Sequence, residues 1–122
     1  MIALEKGDTA KIVDVEWISD SEFVTVGMRH FKQWKVQNNS LKSSRGSFKK
    51  GSSDKIVFAK NFNGKIFCGA FKGELQIWNG SQCSRSIKLG KGSVDAICLS
   101  ESGLIFVGGK QKKVFVFDQS LR

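Results

Sequence analysis

One hairpin outline occurs three times in this chain, and a repeat of that kind restricts the fold more than composition does. The three segments are TVGMRHFKQWKV (residues 25–36), GAFKGELQIWNG (69–80) and VGGKQKKVFVFDQ (107–119). Each runs an apolar strand into Gly, passes a polar turn, and returns along a strand that ends on a large aromatic. The closing aromatics are Trp34, Trp78 and Phe117, spaced by 44 and 39 residues. Ahead of each hairpin stands another alternating run: KIVDVEW (11–17), KIVFAKNF (55–62) and SVDAICLS (93–100). Apolar residues at every second position make one strand face oily and the other polar, as in half-buried sheet. A unit of this size cannot bury its apolar face alone, so consecutive units must stack.

The composition agrees with a folded all-β chain of 122 residues, large enough for one domain. Apolar residues make up 40%, with ten Phe and three Trp, which is a core and not a disordered tail. Proline is absent, so Gly, Asn, Asp and Ser make the turns. No apolar run approaches the length of a membrane-spanning helix, and MIALEKGDTAK is not a secretory leader, so no membrane partner is expected. Cys68, Cys83 and Cys98 are odd in number and lie singly within expected strands. They read as small buried filler in a reducing, cytoplasmic setting.

Counting a weaker strand at SLKSSRGSFKK (40–50) and CSRSIKL (83–89), and an opening strand in MIAL, gives about three four-stranded antiparallel units. This order resembles the WD-repeat β-propeller, with repeats at approximately 1–35, 36–79 and 80–118 in a single domain spanning 1–122. The repeat's closing Trp-Asp appears as Trp34-Lys35, Trp78-Asn79 and Phe117-Asp118. Its Gly-His appears as Gly7-Asp8 and Gly90-Lys91, and its hairpin-turn Asp as Lys72 and Gln111. The Gly-x-x-His turn of the first hairpin runs straight into a Trp strand, and IFCGAFKGELQIWNG and LIFVGGKQKKVFVFD follow. In these features the chain resembles the propeller region of the echinoderm microtubule-associated-protein-like family over about residues 4–118. The resemblance implies a fragment of a microtubule-associated scaffold, a cytoplasmic or cytoskeletal location, and tubulin as partner.

Catalytic chemistry finds no foothold. His30 is the only histidine and reads as a turn or partner-contact residue. The cysteines form no Cys-x-x-Cys pair, so neither metal nor cofactor is expected. GKGS (90–93) leads into a strand where a phosphate loop needs a helix. Asp20, Glu22, Asp54 and Glu101 are scattered.

Charge is more informative. Lys and Arg outnumber Asp and Glu by 20 to 11, a net +9, which favours an acidic partner. In a propeller the turns entering the inner strands and those between second and third strands share one face. The first kind carries Lys6, Lys49, Lys50 and Lys91; the second carries Arg29, Lys72, Lys110, Lys112 and Lys113. Asp8 and Asp54 oppose them. An acidic protein surface such as tubulin fits this face, and a merely solubilising rim is the plain alternative. RNA is the rival partner, disfavoured because only Phe31 and Phe71 stand near for base stacking. Three units are fewer than a closed ring needs. The chain is therefore expected to be part of a longer propeller, or to form a six-bladed ring as a homodimer that exchanges residues 1–5.

Overall fold

The computed structural model describes residues 11–48 and 55–121. Lys6, Lys49, Lys50, Asp8, Asp54 and the expected opening strand at 1–5 lie outside the described residues. Within them the chain forms eleven strands in sequence order. The first sheet contains β1 (Ile12–Ser19), β2 (Glu22–Gly27), β3 (His30–Gln37) and β4 (Ser40–Arg45). The second contains β5 (Ile56–Phe62), β6 (Lys65–Ala70), β7 (Glu74–Asn79) and β8 (Gln82–Lys88). The third contains β9 (Val94–Leu99), β10 (Ile105–Gly109) and β11 (Val114–Phe117). All ladders are antiparallel and join strands adjacent in sequence. Ser40–Arg45, which opens the second repeat when the sequence is counted, completes the first sheet.

The turns explain why these strands pair in register. Asn38 and Asn39 sit at φ 50 and 63 between β3 and β4, and Asn63-Gly64 at φ 55 and 86 between β5 and β6. Two successive left-handed residues match the twist of the strands they connect, and Asn and Gly bear that geometry at least cost. The ladder then alternates faces. Val24, Val26 and Phe31 of the first sheet meet Ile56, Ala59, Ile66, Cys68 and Trp78 of the second. Phe58, Phe67, Leu75 and Ile77 on the second sheet's other face meet Val94, Ile105 and Val107 of the third.

The sheets thus stack face to face in sequence order, with β1 against β5 and β5 against β9 along the inner edge. At the first seam Phe31 lies flat on Trp78, ring centres 3.7 Å apart, and Phe48 meets the same indole edge-on at 4.9 Å. In β11, Phe115 and Phe117 pack toward the second sheet, while Val114 (73% exposed) and Val116 (50%) face outward. It is covered on one side only, because no further sheet among the described residues lies beyond it.

Candidate functional site

Strand direction decides which turns share an edge. The β2–β3, β6–β7 and β10–β11 turns lie at the same end of the sheets as the first residues of β1, β5 and β9. Direct contacts tie them together. The Met28 amide donates to the Lys11 carbonyl, and Phe71 N to Lys55 O at 2.8 Å. Leu89 N donates to Gly73 O (2.8 Å) and Lys110 N to Ser93 O (2.9 Å). Gly73 is required here: its φ is +92°, and a Cβ would collide with the Gly90 carbonyl. Gln111 donates from Nε2 to the carbonyls of Gly92 (2.6 Å) and Lys91 (3.3 Å), clasping the third hairpin to the connection before it. Gln111, standing where the repeat has Asp, does the clasping with an amide.

On this edge the structure places Arg29, Lys72, Lys91, Lys110, Lys112 and Lys113, all exposed. Sequence reasoning missed Lys11, Lys55 and Lys88. Lys55 pairs with Met28 and holds its Nζ 5.8 Å from the centre of the Phe71 ring, and Lys88 Nζ donates to the Lys72 carbonyl. Lys55 stands directly before β5 and Lys88 is the last residue of β8, so counting lysines at strand ends together with those in turns would have found both. Carboxylates near this edge are engaged: Glu74 accepts from Gln76 and Ser86, and Asp95 from Ser93. Asp20, Glu101 and Lys65 belong to turns or strand starts at the opposite end. Arg29 and Lys112 adopt left-handed backbone, φ 48 and 60, a strained choice where Gly or Asn would cost less.

The aromatics separate. Phe31 is buried in the first seam, whereas Phe71 is 53% exposed at the centre of the basic edge. Its position in the turn, one residue beyond the strand, is what frees it.

His30 corrects its expectation as a partner-contact residue. It is 1% exposed, because β3 begins at His30 and pairs it with Gly27. Its Nε2 shares a 2.7 Å hydrogen bond with Thr25 Oγ1, which also accepts from Trp34 Nε1 at 2.9 Å. The signal was the hairpin register, which sets Thr25, His30 and Trp34 on one face. In the second sheet Cys68 stands in Thr25's place, and Trp78 Nε1 donates instead to Gln76 Oε1 at 3.1 Å.

Burial pushes the Cys68 thiol well above its ordinary pKa, with Cys83 and Asp14 adding to the rise, and burial raises Cys83 as well. Cys98 departs from the buried-filler reading: it is exposed, on the outer face of the third sheet. Among the described residues no group of three or more His, Cys, Asp or Glu side chains is placed to hold a metal ion.

No protein-family model matches the chain. It is 32% identical to echinoderm microtubule-associated protein-like 4 of Xenopus tropicalis and 30% identical to the Homo sapiens protein of that name. Those matches cover 80% of this chain but only 13% and 12% of the relatives' own length. Among solved structures it superposes on the computationally designed protein Ika8 (TM-score 0.77, 15% identity, 96% of this chain and 36% of that one). It also superposes on the WD40 β-propeller domain of Doa1 (TM-score 0.51, 11% identity, 95% of this chain and 54% of that one).

Proposed function

We propose that this chain, a stretch of WD-repeat β-propeller blades resembling the propeller region of the echinoderm microtubule-associated-protein-like family, is a non-catalytic scaffold whose basic edge docks on an acidic protein surface. Tubulin is the partner of choice and the cytoskeleton the place. The observation that carries the reading is the gathering of Arg29, Lys72, Lys91, Lys110, Lys112 and Lys113 on tied turns around exposed Phe71. An exposed aromatic ringed by cations supplies an anchor and a steering field together. Two of those cations occupy strained backbone, which supports a role beyond solubility. Lone Phe71 also favours protein over RNA, since single-strand readers stack successive bases on several rings.

The test compares binding of the 122-residue chain to polymerised tubulin and to single-stranded RNA across a salt titration. Tubulin binding should fall steeply as salt screens the edge. Reversing Lys72, Lys110, Lys112 and Lys113 to Glu should weaken it by at least about tenfold, roughly 1.4 kcal/mol, with Lys65→Glu nearly silent. Equal losses at both ends would mean that only net charge is read. Tighter binding to RNA at physiological salt would hand the edge to nucleic acid.

A further inference from the structure

At the end of the sheets opposite the basic edge, the two seams differ at one position. Each closing aromatic, Trp34, Trp78 or Phe117, pairs with Phe23, Ile66 or Ile105. Those three pair in turn with Trp17, Asn61 and Leu99, which are therefore equivalent residues of β1, β5 and β9. At the first seam Asn61 closes the gap between the sheets. Its Nδ2 donates to the Trp17 carbonyl at 3.0 Å and to the Ile18 carbonyl at 3.4 Å. Its Oδ1 accepts from the Gly64 amide at 2.9 Å and so shapes the β5–β6 turn. At the second seam Leu99 stands in that place, and a leucine has no amide with which to clasp the sheet before it. The β9–β10 turn is held by Ser100 instead, whose Oγ accepts from the Leu104 amide at 3.0 Å.

The consequence is a hollow of about 200 Å³ between the second and third sheets. Phe62 and Phe67, ring centres 5.3 Å apart, line it from one sheet, and Leu99 and Ile105 from the other. Both walls belong to sheets packed on each other, so the opening owes nothing to the outer faces of the stack. Leu99 is 36% exposed there. Lys65 and Gln119 add polar groups. Among the described lining residues Lys65 carries the only charge, and Glu101, in the β9–β10 turn, does not line the hollow. The volume is below the roughly 300–1,000 Å³ of small-molecule sites. It suits one large side chain and not a cofactor.

We propose that this hollow is a peptide-docking site: it takes one large apolar side chain, Phe or Leu, of an extended segment whose neighbouring Asp or Glu meets Lys65. Burial of that side chain against Phe62, Phe67, Leu99 and Ile105 supplies the affinity. The Lys65 ammonium selects the carboxylate by charge complementarity, and Gln119 offers an amide to the segment's backbone. This goes beyond the acidic-surface reading, since the hollow lies at the end opposite the basic edge and serves a second partner.

Panning the 122-residue chain against a displayed library of random short peptides should enrich segments with Phe or Leu beside Asp or Glu. A selected peptide, labelled and followed by fluorescence anisotropy at physiological salt, then tests the residues. Leu99→Asn gives the second seam the clasp of the first and should weaken binding at least about tenfold, with the far-ultraviolet circular dichroism unchanged. Lys65→Glu lies at an exposed position and should weaken binding to a similar extent. A peptide with Lys in place of its acid should bind that variant better than it binds the wild type. Reversing Lys72, Lys110, Lys112 and Lys113 to Glu should change binding by less than about threefold, because salt screens charges at the far end. That arm separates this site from the basic edge. Failure to enrich such segments overturns the proposal. So does binding that survives either Leu99→Asn or Lys65→Glu, or that is lost with the basic-edge variant instead.

Discussion

The two seams of this molecule solve the same packing problem with different chemistry. The first seam carries polar groups into its interior: Asp14 and Glu16 accept backbone amides of β5, and buried Gln76 receives the Trp78 indole proton. The second is mainly apolar, with Phe58 in the place of Asp14 and Leu75 and Ile77 against Ile105 and Val107. Polar seams fix register, since a slip leaves a buried donor or carboxylate unmatched, whereas apolar seams are tolerant of small shifts. The first seam is therefore the one that sets how the sheets align. The second contributes burial with less demand on geometry.

The sharpest way to break the contrast is Trp78→Ala. The ring is fully buried and stacked on Phe31, so its loss should cost about 3–5 kcal/mol. Urea unfolding at neutral pH would show it as a lowered midpoint. A loss below 1 kcal/mol would mean that the first seam does not carry the stack.

A smaller effect tests what polarity adds. Thr25→Val keeps the shape but strands the Trp34 indole N–H and loosens His30, so it should cost about 1–3 kcal/mol. Cys68→Val at the equivalent place exchanges one small buried apolar side chain for another, and its steric cost should stay below about 1.5 kcal/mol. Equal costs in the same denaturation assay would erase the distinction between a hydroxyl relay and simple filling.

These residues also show where sequence reading reached its limit. Period-two runs and Asn-rich turns made the strands legible because strand identity is local. The basic edge was legible only through the blade pattern, which says where turns emerge. His30 was missed because Gly-x-x-His looks like a loop until the Gly27–His30 pair is drawn, and that pairing buries the ring. Cys98 was missed for the complementary reason. Its alternation marks a strand face correctly, but whether a face is covered depends on what packs against it, which periodicity does not carry.

The smallest effect concerns the thiols. Cys68 and Cys83 have raised pKa values in the folded chain, so folding favours their neutral form. Below the unfolded value, roughly 8.5, this contribution is fully present. As pH rises above it, the unfolded chain loses protons that the folded chain keeps, and stability should decline until the folded values are passed. Denaturation midpoints at pH 8 and pH 10 check the sign. A thiol reagent at neutral pH should modify one cysteine, Cys98, rapidly, and the other two only on unfolding.

The strand order has a consequence for how the chain reaches this state. Every ladder joins neighbours in sequence, so hairpins close short loops and form at little entropic cost. Seam contacts are different: the Asp14 carboxylate and the Ala59 amide are 45 residues apart. Topologies with mostly local pairing fold faster than those that must close long loops first. The slow event is then the docking of preformed sheets, and it proceeds in the direction of synthesis. The first sheet is complete at Arg45, before β5 exists to receive its carboxylates. Until β5 emerges, the Val24, Val26 and Phe31 face is bare, and that interval is when the chain is most open to wrong partners.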